Sequence, residues 1–104
     1  MIKFVEKPSK KVASKFINNS NYYWNAGIFI ASSNTVINSI KKHAPEIAIS
    51  CNKTFEEVIF NRKTNEYNFP VELFSDIPSK SIDYAVMEKE KNIFLYPFLN
   101  EWSD

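Results

Sequence analysis

Hydrophobic and polar residues are arranged in short blocks that alternate between strand-like and helix-like spacing. The first block, IKFVE at residues 2–6, predicts a β-strand that ends before Pro8, because proline has no N–H for a strand ladder. The next block, KKVASKFINN, brings Val12 and Phe16 to one side of a helix. Ser9 directly precedes this block and is therefore predicted to be the N-cap of that helix.

Two further apolar blocks predict strands. The run GIFIA at residues 27–31 is continuous and apolar, which is typical of a strand buried in a sheet. The polar stretch NSN at residues 19–21 indicates a turn before it. The run NIFLYPFL at residues 92–99 is also predicted to be a strand, kinked or ended near Pro97.

The middle of the chain has helical spacing. Ser33 or Asn34 is suited to cap a helix over the segment TVINSIKK. Cations in its last turn, including His43, suit the negative end of the helix dipole. Pro45 then stands where this helix ends and another begins, since proline is favoured in a first turn. The segments EIAIS and KTFEEVIFNRK are predicted to be helical as well.

The last third of the chain combines an irregular stretch with one more helix. The segment at residues 64–80 contains two prolines and is predicted to be irregular. Ser81 is predicted to cap the helix IDYAVMEKEK, and Asp83 in its first turn suits the helix dipole. The predicted order is roughly β-α-β-α-α-α-β, which indicates an α/β fold rather than a helical bundle.

The overall composition limits the classes of function. The 104 residues are 44% hydrophobic and carry a net charge of +1, so we expect one folded domain or part of one. This charge favours neither nucleic acid nor an anionic membrane as a partner, and no apolar run approaches the ~20 residues of a membrane span. The chain starts without a secretory signal, and Cys51 is its one cysteine, which together favour a cytoplasmic protein.

The low numbers of cysteine, histidine and glycine residues exclude several kinds of site. Cys51 and His43, the one cysteine and the one histidine, are too few for a zinc site and give little support for catalytic pairing of the two. Gly27 is the one glycine, so Gly-rich phosphate loops of the GxGxxG and GxxxxGK[ST] types are excluded. If the protein handles a nucleotide, the nucleotide loop is not in these residues.

Four segments occur in a recognisable order: FVEKP at 4–8, YYWNAGIF at 22–29, IPSKSIDYAVMEK at 77–89 and WSD at 102–104. They resemble the sugar-phosphate nucleotidyltransferases, specifically the mannose-1-phosphate guanylyltransferases, and the resemblance spans the whole chain. It implies a partial Rossmann-like nucleotidyltransferase domain over residues 1–104, its sugar-binding half, truncated at both ends. It further implies an enzyme that makes GDP-mannose and pyrophosphate from GTP and mannose 1-phosphate with Mg²⁺.

The resemblance assigns substrate contacts to four residues. Glu6 matches a glutamate that accepts hydrogen bonds from sugar hydroxyls, and Lys7 matches a lysine that meets the sugar phosphate. Neighbours on a regular strand face opposite sides, so these two reach one pocket only if the chain bends, which Pro8 favours. Asn25 matches a sugar-hydroxyl partner, and Gly27 matches a position where backbone approaches the sugar.

The end of the chain carries the implied metal ligand. Asp104 matches the aspartate that ligates the catalytic magnesium, an ion that prefers carboxylate and phosphate oxygens. The partner aspartate and the Gly-rich nucleotide loop belong to a first half that these residues do not include. Ala26 stands where serine is commoner in the family, and Glu101 stands where glycine is commoner. We therefore expect no GDP-mannose synthesis, and at most weak Mg²⁺ binding, by the 104 residues alone.

Several alternatives stay open from the residues alone. Without the resemblance, a surface charge is the better interpretation of Glu6, while a turn explains Asn25 and the entry to a strand explains Gly27. The runner-up function is another hexose-1-phosphate nucleotidyltransferase, such as a glucose-1-phosphate type. A different class is a non-catalytic association module or the remnant of a split gene. Uncovered sheet edges and apolar faces favour self-association, or pairing with a separately encoded first half.

Overall fold

The computed structural model describes residues 3–98, which form helices, one small sheet and one π-helical segment. In chain order these are α1 (Lys10–Ile17), α2 (Ser33–His43), α3 (Pro45–Glu56), β1 (Ile59–Asn61), β2 (Glu66–Asn68), α4 (Val71–Ser75) and the π segment (Asp83–Met87). The combination of helices with a β-sheet agrees with the predicted α/β class. Among residues 3–98, no helix has the length and apolar character needed to cross a bilayer.

The ends of α2 follow from its sequence. Ser32 is the N-cap, and its side-chain oxygen accepts a hydrogen bond from the Thr35 N–H at 3.2 Å. The cap therefore lies one residue before the predicted Ser33 or Asn34. His43 lies in the last turn with two lysines, as predicted, where cations suit the helix dipole.

The starts of α1 and α3 also agree with the predictions. Ser9 is the N-cap of α1, although its side chain makes no capping bond; its carbonyl accepts from the N–H groups of Val12 and Ala13 at 2.9 and 2.8 Å. Pro45 occupies the first turn of α3, where a backbone N–H would have no acceptor within the helix, so proline loses no hydrogen bond there.

The hairpin of β1 and β2 corrects the predicted helix over KTFEEVIFNRK. Helix α3 ends at Glu56, and β1 then pairs antiparallel with β2, with Phe60 opposite Tyr67 and their ring centroids 4.7 Å apart. Ile59 and Phe60 are β-branched or aromatic, so they favour a strand over a helix. Asn65 supplies the turn with a left-handed backbone, at φ 57°.

The three strands predicted at 2–6, 27–31 and 92–99 are absent as hydrogen-bonded strands within residues 3–98. A strand needs a neighbour to pair with its N–H and C=O groups, and no other part of residues 3–98 lies beside these runs as a strand. Several of their side chains face outwards instead, with Ile30 96% and Phe94 94% exposed. The predicted order of elements is therefore wrong in these positions.

The core is small and joins α2, α3 and the π segment. Ala44, Ala85 and Val86 are almost fully buried, and Ile40 and Ile47 pack against them. The molecule measures 52 × 28 × 25 Å, with a radius of gyration of 17.6 Å. A compact domain of similar length has a radius of ~13 Å, so this chain is elongated and leaves much apolar surface uncovered.

Candidate functional site

The backbone bends at Glu6 and Lys7, directly before Pro8. Lys7 adopts a left-handed conformation with φ 46°, which costs a non-glycine residue roughly 1–2 kcal/mol. A bend at this point is the condition under which neighbouring residues can serve one pocket. The structure therefore has a bend at the position where the sequence analysis requires one, and the sugar-phosphate contacts themselves stay a prediction.

Glu6, Lys7 and Asn25 line one open groove of about 1650 Å³. Its walls are partly aromatic and include Tyr22 and Trp24. Lys7 Nζ lies 3.9 Å from Glu6 Oε1, and the lysine side chain is 79% exposed while that of the glutamate is 23% exposed. The groove thus presents an accessible cation beside a partly shielded carboxylate, a pair suited to a phosphate and to hydroxyl groups.

Aromatic contacts bring the segments of this groove together. Phe4, in the FVEKP segment, lies against Phe29 of the WNAGIF segment, with ring centroids 6.5 Å apart. Phe16 of α1 stacks on Tyr22, with centroids 4.1 Å apart and an interplanar angle of 15°. The groove is therefore held by side-chain packing rather than by a strand ladder.

Asn25 and Gly27 form a local turn beside the groove. The Gly27 N–H donates to Asn25 Oδ1 at 3.0 Å, and Gly27 has φ 71°, in the region that favours glycine. A Cβ at Gly27 would meet no atom within 4 Å, so the backbone angle, and not crowding within this chain, favours glycine there. This bond uses one lone pair of Oδ1, which leaves the second lone pair and the two amide donors of Asn25 for other partners.

Glu88 is a site residue that the sequence analysis missed. Its Oε1 accepts a hydrogen bond from the Glu6 N–H at 3.0 Å, which joins the SIDYAVMEK segment to the bend. The Glu88 N–H in turn donates to the Asp83 carbonyl at 3.0 Å, the spacing of a π-helical turn, which is frequent at functional sites. The signal for Glu88 was its place in the segment that marks the family best.

Ser81 and Asp83 have structural roles. Ile82, directly before the π segment, already has a helical backbone with φ −59° and ψ −31°, so Ser81 stands at the start of the helical turn, as predicted. The Ser81 carbonyl accepts from the Ala85 N–H at 2.9 Å, the spacing of an α-helical turn, before the wider π-helical turn begins. Asp83 lies in the first turn, as predicted.

Glu90 ties the end of the π segment to the end of α2. Its Oε2 accepts from the Ser39 hydroxyl and lies 3.1 Å from His43 Nε2, while Oε1 accepts from the N–H groups of Lys91 and Asn92. These bonds, with that of the Asn92 N–H the largest contributor, lower the pKa of Glu90 from 4.5 to about 2. His43 therefore contacts Glu90 at the end of α2. Cys51, the other residue considered for catalytic pairing, is exposed.

The implied metal ligand lies outside the described residues. Residues 99–104, which include Glu101 and Asp104, are not among them. Within residues 3–98, no three His, Cys, Asp or Glu side chains are grouped closely enough to hold a metal ion. The described residues alone therefore do not fit a complete metal site, and the assignment of Asp104 stays a prediction.

The chain is similar to a known protein family and to bacterial proteins. The family model described as nucleotidyl transferase matches residues 1–104. The alginate biosynthesis protein AlgA of Pseudomonas syringae pv. tomato is 38% identical over 101 residues, which cover 97% of this chain and 20% of that protein. The mannose-1-phosphate guanylyltransferase of Escherichia coli K12 is 34% identical over 101 residues, which cover 97% of this chain and 21% of that protein.

A solved structure has the same fold. The crystal structure of mannose-6-phosphate isomerase from Helicobacter pylori superposes with a TM-score of 0.90 and 29% identity, over 98% of this chain and 41% of that one. This likeness confirms a partial α/β domain. The chain spans about a fifth of the length of the curated relatives it matches. The match of the family model over the whole chain shows that the chain belongs to the nucleotidyl transferase family.

Proposed function

We propose that this chain is the mannose 1-phosphate-binding part of a guanylyltransferase that makes GDP-mannose and pyrophosphate from GTP and mannose 1-phosphate. The observation that carries the proposal is the groove in which Glu6, Lys7 and Asn25 meet. These are residues from two segments whose sequence resembles the family. The similarity to the mannose-1-phosphate guanylyltransferase of Escherichia coli supports this reaction.

Each of the four predicted site residues has a distinct task in this proposal, although Gly27 lies next to the groove lining and not in it. The exposed Lys7 ammonium meets the phosphate as a point charge, and the partly shielded Glu6 carboxylate accepts hydrogen bonds from sugar hydroxyls. The Asn25 amide donates to a hydroxyl oxygen. The open space beside Gly27 lets the sugar approach the backbone. Together they orient the sugar phosphate, whose oxygen attacks the α-phosphorus of the nucleotide, so that catalysis rests on positioning.

The nucleotide and metal parts of the reaction need further polypeptide. With a single glycine these residues contain no Gly-rich phosphate loop, and Asp104 is one carboxylate of a site that needs more ligands. In the complete enzyme a divalent ion such as Mg²⁺ would neutralise phosphate charge. We therefore propose that the 104 residues bind mannose 1-phosphate but do not make GDP-mannose without the missing half.

A titration of the isotopically labelled 104-residue chain with mannose 1-phosphate tests the proposal. We expect amide resonances of residues 3–7 and 22–25 to shift in a saturable manner. Lys7→Gln should weaken this binding about tenfold, as loss of a charged hydrogen bond predicts. The matched control Lys63→Gln removes an equal charge from the hairpin turn and should have no effect.

Other outcomes of the titration separate the alternatives. Tighter binding of glucose 1-phosphate than of mannose 1-phosphate would favour the other hexose-1-phosphate nucleotidyltransferases. An absence of saturable shifts with either sugar would contradict the proposed site. Turnover of GTP and mannose 1-phosphate by the pure chain would contradict the proposed need for a missing half.

A second candidate function, association with another polypeptide, is favoured by the outward-facing apolar runs. Ile30, Phe94 and Tyr96 are 96%, 94% and 89% exposed. Exposed apolar surface of this extent is typical of an interface. We propose that the chain pairs through these runs with a separately encoded first half of the domain, and that it associates with itself when that half is absent.

A further inference from the structure

We propose that Glu88 is a positioning residue for sugar-phosphate binding, which it supports by holding the bend at Glu6 and Lys7. The inference rests on the proposed function of the groove. Glu88 is assigned no contact with the ligand; it acts through the backbone of Glu6. The bond from the Glu6 N–H to Glu88 Oε1, at 3.0 Å, is the observation behind the proposal.

The bend needs an external partner because its backbone is unfavourable by itself. Lys7 has φ 46°, a region that non-glycine residues rarely occupy. In the regular extended conformation that the sequence predicts, Glu6 and Lys7 would face opposite sides. A hydrogen bond from the Glu6 N–H to a charged acceptor favours the bent conformation, because it satisfies an N–H that has no strand neighbour.

Glu88 can hold the bend because its own position is fixed. The π segment anchors it through the bond of its N–H to the Asp83 carbonyl and through the buried side chains of Ala85 and Val86. The next residue, Lys89, donates from Nζ to the His43 carbonyl at 2.8 Å. The residue after that, Glu90, accepts a hydrogen bond from the Ser39 hydroxyl. Three consecutive side chains therefore connect the bend and the end of α2 to one short segment.

The hydrogen bond from the Glu6 N–H depends on both the length of the Glu88 side chain and its acceptor oxygen. A glutamine at position 88 keeps an oxygen at the same reach but loses the charge, whereas an alanine removes the acceptor. A positioning role therefore predicts a graded series in which glutamine retains most of the function. A direct role of the carboxylate on ligand or metal predicts that glutamine and alanine are equally damaging.

The test compares Glu88→Ala and Glu88→Gln with the control Glu66→Ala, which removes an exposed glutamate from β2. The first readout is the Glu6 amide proton, by NMR of the ligand-free chain. We expect its resonance to move upfield and its solvent exchange to accelerate in the alanine variant, with a smaller change in the glutamine variant. The second readout is the Kd for mannose 1-phosphate, which should rise about three- to tenfold in the alanine variant.

The two readouts separate failure of this inference from failure of the proposed function. An unchanged Glu6 amide in both Glu88 variants overturns the inference, whether or not the sugar phosphate binds. If the unaltered chain binds no mannose 1-phosphate while the amide moves as expected, the proposed function fails and the positioning of the bend stands. If that chain binds and the variants bind equally well, or glutamine is as damaging as alanine, the positioning role is overturned.

Discussion

Positive φ angles occur in both segments that form the groove, at Lys7 and at Gly27. At Lys7 the strain is borne by a charged residue that the groove uses. At Gly27 the residue type removes the strain, since glycine lacks the Cβ that disfavours this region. The two positions therefore respond differently to substitution.

Gly27→Ala should lower the free energy of unfolding by about 1 kcal/mol, because alanine is strained at φ 71° although the space around it is open. Gly27→Asn is the matched variant, since asparagine tolerates the left-handed region better. Chemical denaturation of both proteins measures the difference. Equal losses in the two variants would contradict backbone strain as the cause.

The lowered pKa of Glu90 predicts that the stability of the folded chain depends on pH in the acidic range. Its pKa is about 2 in the folded chain against an ordinary 4.5, so the folded state binds protons less readily than the unfolded state. Its contribution is therefore fully present above pH 4.5 and is lost as the pH falls towards 2. Unfolding of Glu90→Gln should depend less steeply on pH in that interval, whereas Glu66→Gln should follow the parent chain.

At the scale of elements, the helices follow local signals and the strands do not. The N-cap of α2 is the sharpest case, because Ser32 rather than the neighbouring Ser33 accepts the Thr35 N–H. Ser32→Ala should cost about 1 kcal/mol of stability, and Ser33→Ala should cost little. Thermal unfolding monitored by circular dichroism measures both. A larger loss in Ser33→Ala would place the cap where the sequence analysis expected it.

Local signals explain which elements were predictable. Helices α1, α2 and α3 have a serine or proline at the start, and their first residues were anticipated within one or two positions. The hairpin was missed because the apolar spacing of its sequence also suits a helix, while Phe60 packs on Tyr67 across the strands. The runs at 27–31 and 92–98 have strand composition but no paired strand, because pairing depends on residues elsewhere.

The candidate site was also predictable only in part, because one of its contacts joins residues that are far apart in the chain. Glu6, Lys7 and Asn25 were assigned through resemblance, and the groove brings those three together. Glu88 lies far from them in the chain, so no local pattern indicated its bond to the Glu6 backbone. The residue types were therefore accessible from sequence, whereas the long-range contact needed the fold.

At the scale of the whole molecule, the elongated shape and the outward-facing apolar runs predict association. Light scattering should give a mass above the monomer value of 12.1 kDa. The double variant Ile30→Lys and Phe94→Lys should lower the mass towards that value, because it places charge in the exposed runs. Ile49→Lys, on the exposed face of α3, is the control and should change nothing. A monomeric parent chain without apolar dye binding would contradict the prediction.

The bond between the Glu6 backbone and Glu88 has a consequence for the order of events during folding. Its partners are 82 residues apart in sequence, and the contacts of His43 with Lys89 and Glu90 span 46 and 47 residues. Loop closure becomes entropically more costly with length, so we expect the helices to form before these contacts and the groove to close last. During synthesis on a ribosome, the bend at Glu6 and Lys7 would acquire its shape only after residue 88 had emerged. If the chain binds mannose 1-phosphate as proposed, that binding would then begin only when nearly all of the described residues had folded.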